Sequence, residues 1–472
     1  MTVRARALLA ALTLVIVTAA GVLFIRQHSG AIAGQTGIDV ATTGDVSGIL
    51  DGTADGPALA ALALRKLEGT YYKPVDPQTP LAGENAALHG YLRAKKISNA
   101  ALPTKTASGD VAQDAGLVAN QLAFVQQRYA GKLGANGRSD LSEVALRGIM
   151  ASVKDPYTVY LSPREIQGLN ESLSGGNFGG IGVYIYQLKD GRVVVQPIES
   201  MPASRSGMKP GEVVDTVEGV PIRGLTLDRV EGMIRGEPGT PVRMTTHPFN
   251  AASKAAPRER SYTIVREIIH VPSVRAKMEG GYDYIRLADF GKTSGDEVRK
   301  ALLDGQAKGA KGYILDLRDN GGGLLETAVQ ISSLLVPQGT IVSTIRRDGQ
   351  RTSEEALGTA IGGLGPIVVL VNKYTASASE ITAGALQDYR LATLIGTRTF
   401  GKGVVQSIYP MPDQGALKIT TAKYVTPLGR DIQHRGINPD IVVNQAPDPS
   451  LIDTPADKQL AAAKANLRAT LH

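Results

Sequence analysis

Two stretches of this chain carry side chains able to do covalent chemistry. Thr375-Ala376-Ser377-Ala378-Ser379-Glu380 lies between an apolar run at 367–371 and a helical pattern at 379–387. A serine at a strand-to-helix junction sits beside the unpaired amides of the helix start, which can stabilise an oxyanion. The same residues spell S-x-x-E, a capping box, so local sequence leaves nucleophile and cap both open. The second stretch is Thr399-Phe400-Gly401-Lys402-Gly403-Val404-Val405-Gln406. A lysine between two glycines, entering a Val-rich strand, is oddly placed for a solvated charge. Burial would lower its pKa and leave a neutral amine able to take a serine proton. Lowering a lysine from about 10.4 to about 7–8 costs roughly 4 kcal/mol, and a salt-bridged lysine is the alternative. Gln406, four residues on, would share its face of a strand.

Two glycine-rich stretches follow. Leu315-Asp316-Leu317-Arg318-Asp319-Asn320-Gly321-Gly322-Gly323 reads as a strand ending in three glycines, where a backbone can approach a substrate closely, or as a plain β-to-α turn. Phe178-Gly179-Gly180-Ile181-Gly182-Val183 offers successive N–H groups that can capture a chain-terminal carboxylate, or it is a hairpin turn.

Other chemistries are poorly supported. The chain has no cysteine, which excludes thiolate nucleophiles, zinc-thiolate sites and iron–sulfur clusters. Its six histidines sit in unrelated contexts, His434 reads as a surface residue, and neither G-x-S-x-G nor H-E-x-x-H occurs. The phosphate-loop spacing is missing around Lys402. No metal or organic cofactor is expected. The net charge of +7 is spread without runs of like charge, so nucleic acid is not an expected partner.

Several segments must position these residues within 472 residues. Arg4 and Arg6 precede an uncharged apolar run at 7–25, followed by Arg26 and an A-x-A pattern at Ala31 and Ala33. Residues 1–33 are therefore expected to be a signal peptide or membrane anchor, and the protein extracytoplasmic. Residues 34–174 read as a stalk with short helices at 34–110, then a stronger helical pattern broken at Asp155-Pro156. Residues 175–271 switch to short strands with Gly/Pro turns and a helix at 225–234. Residues 272–445 alternate strands (282–287, 312–317, 340–345, 367–371, 392–395) with helices (295–308, 324–335, 379–387), and 446–472 read as a helical tail. The fold class is mixed α/β and multidomain, with a parallel or mixed sheet covered by helices.

Together these residues resemble the carboxy-terminal processing, or tail-specific, peptidases from about Asp155 to Val443. Asp155-Pro156-Tyr157-Thr158 is similar to that family's lead-in to a PDZ domain, which would be 175–271, with Gly180, Ile181, Gly182 and Val183 at its peptide-binding loop. Ser377 and Lys402 are 25 residues apart, the family's spacing between catalytic serine and lysine, which selects Ser377 over Ser379. The resemblance places the nucleophile at Ser377, the general base at Lys402 and an orienting glutamine at Gln406. It draws the oxyanion hole from Ala378 and from Gly322 or Gly323. Asp388 matches a position implicated in some members and reads as structural. The segment Ala416–Tyr424, with Pro427, Gly429-Arg430 and Pro439-Asp440, resembles the end of the family's core. The chain departs from the family at Asn320-Gly321-Gly322-Gly323, for Asn-Pro-Gly-Gly, and at Gly211-Glu212, for Gly-Asp.

The resemblance implies an exported serine endopeptidase of the Ser/Lys kind, acting on proteins with accessible C-termini, membrane-associated if the leader is retained, with a homo-oligomer open. A catalytically silent PDZ scaffold is the alternative.

Overall fold

The computed structural model describes residues 55–173, 178–188, 190–249, 259–446 and 451–471, together with the backbone of 36–39. The expected leader, 1–33, lies outside the described residues. Among the described residues, no helix is long and apolar enough to cross a membrane. Glu171–Pro272 forms one compact unit, and the described residues before and after it form a second.

The larger unit is built on a six-stranded sheet in the order Val274–Glu279, Tyr282–Leu287, Tyr313–Asp316, Ile367–Val371, Ala392–Gly396, Ile441–Val442. Its first pair is antiparallel and the others are parallel. The central strand Ile-Val-Val-Leu-Val is apolar on both faces because both faces are covered. Val369 and Val371 pack with residues of helices Ser294–Ala307, Leu325–Ser333 and Ala378–Asp388. Val368 and Leu370, pointing the other way, pack against Leu460, Ala463 and Leu467 of helix Lys458–Thr470. The helix expected as a C-terminal tail is thus one layer of the fold.

A second sheet runs in the order Gly322–Leu324, Thr36–Asp39, Val404–Pro410, Ala416–Val425, Thr340–Arg346, Arg351–Glu355, and Val159–Leu161 also pairs with Ala416–Val425. Leu417 and Ile419 of that sheet share a core with helices Gly56–Thr70, Gln78–Ala94, Val111–Tyr129 and Gly137–Ala151. This corrects the stalk reading of 34–110. Leu59, Ala63 and Leu67 on one helix, and Leu81, Leu88 and Leu92 on the next, are buried stripes at helical spacing. Interspersed Ala, Gly and Thr had diluted that period. Nor is 34–174 a region apart, since these four helices and the strands Thr36–Asp39 and Val159–Leu161 complete the unit that carries Ser377.

The smaller unit is an antiparallel sheet in the order Val183–Gln187, Val193–Pro197, Glu212–Val217, Pro241–Pro248, Arg260–Val265. Helix Leu227–Ile234, capped by the Thr226 hydroxyl, packs Val230 and Ile234 into its core. Phe178–Gly180 pairs separately with Glu267–Ile269. Glu212, the departure from the expected Asp, is buried and accepts hydrogen bonds from Thr246 Oγ1 at 2.7 Å and from Tyr262 and Arg260.

The C-terminal helix is anchored by charge as well as by apolar contact. Arg318 is fully buried between Asp316 and Asp457, with guanidinium-to-carboxylate distances of 2.6 and 2.8 Å. Asp457 accepts two guanidinium hydrogen bonds and caps the helix at the Leu460 amide, while Asp316 still compensates the charge when Asp457 is removed. Asp457→Ala should therefore lower stability by about 1.5–3 kcal/mol in urea unfolding, the worth of hydrogen bonds to a charged group. An unchanged midpoint would show that the tail is dispensable to the sheet.

Candidate active site

Ser377 ends a tightly laced turn. After strand Ile367–Val371, the Asn372 amide donates to Thr375 Oγ1 at 2.9 Å, and Thr375 Oγ1 donates to the Leu317 carbonyl at 2.8 Å. The Ala376 amide and the Ser379 hydroxyl both reach the Asn320 carbonyl at 3.0 Å. Held at both ends, Ser377 takes φ 57° and ψ −120°, a region that side chains other than glycine's avoid. Strain of this kind persists only where surrounding bonds over-determine it, and it clusters at functional sites. The turn therefore presents its serine on a sharp strand-to-helix junction without the G-x-S-x-G signature. Ala378 opens the helix, so its amide is one of the donors the helix cannot satisfy.

Glu380 links this turn to the lysine turn. Its buried carboxylate accepts the Ser377 amide at 3.0 Å, the Lys402 amide at 2.9 Å, the Gly401 amide at 2.8 Å and the Thr399 hydroxyl at 2.5 Å. Burial pushes this carboxyl up from the ordinary glutamate value, and these four donors oppose that shift. The buried Tyr424 hydroxyl lies 3.1 Å from the Ser377 carbonyl and also meets the Lys402 carbonyl. Ser377 and Lys402 are thus clamped twice, by amides to Glu380 and by carbonyls at Tyr424. The capping box expected from sequence is part of a larger joint.

Lys402 is fully buried, and its Nζ has no hydrogen-bond partner. It lies 4.7 Å from the centroid of the Tyr157 ring. Burial and the nearby Lys418 hold the amine well below the ordinary lysine value, while Asp155 and Glu380 pull the other way. A ring face favours the ammonium by about 0.5–2 kcal/mol, less than the several kcal/mol cost of burying an unpaired charge. Lys418, itself buried, is lowered to about 8 by burial.

Gln406 is also buried. Its amide nitrogen lies 3.3 Å from Thr420 Oγ1, which donates to Asp155 at 2.6 Å, and its Oε1 has no partner. The strand begins at Val404 and shifts register between Val405 and Gln406. The simple alternation argument for a shared face of Lys402 and Gln406 therefore does not hold.

The glycine strand packs directly on the serine. A Cβ on Gly322 would lie 2.8 Å from the Ala378 nitrogen and 2.9 Å from Ser377 Cβ, and one on Gly323 would lie 2.4 Å from the Phe290 carbonyl. The Gly322 amide, however, donates to Asn320 Oδ1 at 2.8 Å. Gly323 is engaged as well, opposite Gly37 of strand Thr36–Asp39, so Gly322 and Gly323 both stay with Ala378 as the expected oxyanion donors.

In the smaller unit, Gly180, Ile181, Gly182 and Val183 line a cleft of about 60 Å³ with Phe178, Ile234 and Ile269. Gly182 has φ +71°, and a Cβ there would meet Met201. His434 is exposed. Asp388 accepts the Leu428 amide at 2.9 Å and pairs with Arg430, a structural role.

Asp155, Tyr157 and Tyr424 lie about Lys402, and Thr420 joins Asp155 to Gln406, yet none of the four carries a local sign of such a role. Asp155 and its partner Thr420 are 265 residues apart, and no local pattern connects the two segments.

The peptidase family S41 model matches residues 281–443. A carboxy-terminal-processing protease of Bartonella bacilliformis is 39% identical over 312 residues, covering 65% of this chain and 70% of that protein. The chain belongs to this family. A carboxyl-terminal-processing protease of Synechocystis sp. is 38% identical over 327 residues, covering 68% of this chain and 75% of that one. The solved structure of a photosystem II D1 C-terminal processing protease aligns with 87% of this chain and 97% of its own at 26% identity and a TM-score of 0.45. As a family S41 member the chain is a serine-type peptidase.

The buried amine has a consequence for stability. A lysine whose native pKa is lowered releases a proton on folding that the unfolded chain keeps, so its contribution to stability rises with pH between the two values. Lys402→Met is expected to stabilise the protein by about 1–3 kcal/mol at pH 7, the cost of an unsatisfied buried polar group. The gain should shrink toward the ordinary lysine value. Equal or lower stability of the Met variant, followed by thermal unfolding across pH, would contradict an unpartnered, deprotonated amine.

Proposed function

We propose that this S41 peptidase is an endopeptidase that uses Ser377 as nucleophile and Lys402 as general base. The observation that carries the reading is the double clamp by Glu380 and Tyr424, which ties the backbone of a strained serine to that of a lysine whose amine is buried and unpartnered. The neutral amine takes the Ser377 hydroxyl proton as Oγ bonds to the substrate's peptide carbonyl carbon. Negative charge moves to the carbonyl oxygen, facing the amides of Ala378 and of Gly322 or Gly323. The C–N bond then breaks, the Lys402 ammonium returns the proton to the leaving amine, and an acyl-enzyme remains. Water, deprotonated by the same amine, releases the acyl group and restores Ser377. Gln406 orients the lysine, the role the family resemblance gives it.

The segment 175–271 acts as a PDZ domain whose loop, with Gly180, Ile181, Gly182 and Val183, receives the carboxylate of a protein C-terminus. The apolar leader 7–25 directs the enzyme out of the cytoplasm and, if retained, holds it at the membrane.

The test is degradation of an unstructured reporter with a small apolar C-terminal tail. Ser377→Ala and Lys402→Ala should each lose about 10⁴-fold or more in kcat with unchanged circular dichroism. Amidating the reporter's C-terminus should raise KM and leave kcat near its value, since the carboxylate serves binding alone. Undiminished activity in Ser377→Ala would return that serine to a cap. An inert wild type would point to a gated enzyme or to the silent scaffold.

A further inference from the structure

Strand Thr36–Asp39 lies between the two walls of the candidate active site. It pairs in parallel with the glycine strand, with Thr36, Gly37 and Ile38 opposite Gly322, Gly323 and Leu324. On its other side Ile38 and Asp39 lie opposite Gln406 and Ser407, again in parallel. Among the described residues it is the strand that joins Gly322–Leu324 to the rest of this sheet.

Neighbouring strands lie about 4.7–4.9 Å apart, so the two walls are separated by about 9.5 Å, room for one extended chain. The walls are functional parts of the site. Gly322 is packed on Ser377 closely enough that a Cβ would reach the serine's own Cβ at 2.9 Å, and Gln406 follows the Lys402 turn. An extended main chain in this slot therefore runs alongside the serine turn. Main-chain pairing depends little on side chains, so the slot accepts any extended peptide, and the chain's own segment satisfies both edges.

We infer that Thr36–Asp39 is an intramolecular occupant of the substrate slot, an autoinhibitory strand that must leave before a protein substrate is cleaved. This rests on the peptidase reading above. A tethered strand competes at an effective concentration of order mM, which free substrate must overcome. Removing it raises apparent substrate affinity by the inverse of the fraction of molecules whose slot is already free.

Because the chain lacks cysteine, the placement can be trapped in the full-length protein. Asp39 and Ser407 are register partners, and neither belongs to the proposed catalytic set. The Asp39→Cys/Ser407→Cys variant should form a disulfide on oxidation, scored by mass, in both the active and the Ser377→Ala backgrounds. The oxidised active form should lose reporter cleavage, and reduction should restore it. Ile38→Pro, which removes a strand donor and fixes φ, should raise kcat/KM about tenfold if the slot is free in about 10% of wild-type molecules. Failure of the disulfide to form, a disulfide-bonded enzyme with full activity, or an Ile38→Pro variant no faster than wild type would each overturn the inference. Loss of the peptidase reading is separately visible as a Ser377→Ala variant that cleaves like wild type.

Discussion

The site depends on one buried carboxylate. Glu380 accepts the Ser377 amide from its own turn, and two amides and a hydroxyl from a turn 19 to 22 residues further along the chain. Hydrogen bonds to an ionised acceptor are about twice as strong as neutral ones, and leaving such donors unmet in a dry interior costs their full desolvation. The carboxylate therefore does more than cap a helix. It fixes where the lysine turn lies relative to the serine, and Tyr424 repeats the constraint on the carbonyl side. The strained backbone of Ser377 is tolerable because these bonds, with those to Asn320 and Leu317, leave it no alternative.

The second requirement is that the lysine stay dry and unpaired. Residues from the helical region meet it. The Asp155–Thr158 segment brings the Tyr157 ring over Nζ and links Asp155 to Thr420, which lies beside Gln406. Asp155 and Glu380 act on the amine through space, but neither pairs with it. Helices Gly56–Thr70 to Gly137–Ala151 bury Leu417 and Ile419 on the strand that carries Lys418 and Thr420. Their contribution to the site is to support the wall beside the buried Lys402 amine.

Much of the parallel sheet was legible because its signals are local. The strands at 282–287 and 367–371 appear at those bounds, and the helix read at 295–308 spans Ser294–Ala307. The second sheet was not legible, since Val159–Leu161 pairs with Ala416–Leu417-Lys418 across more than half the chain. The paired helices at 56–94 were obscured by small residues that weaken the hydrophobic period. At the site, Ser377 and Lys402 stood out by their junctions and their spacing. Glu380 was visible only as a cap, because its bonds to Thr399, Gly401 and Lys402 exist only after folding. The choice between Gly322 and Gly323 was not legible, because nothing in a run of glycines tells which amide a neighbouring Asn320 side chain will take.

The central claim is that a buried, neutral Lys402 activates Ser377. Its most direct test is the pH dependence of the rate at which a serine-directed phosphonylating reagent inactivates the enzyme, measured without peptide substrate. The account predicts a rate that rises through a midpoint well below about 10.4, the ordinary lysine value, and a rise that disappears in Lys402→Ala. A rise centred at or above that value, or one unchanged by the substitution, would contradict it.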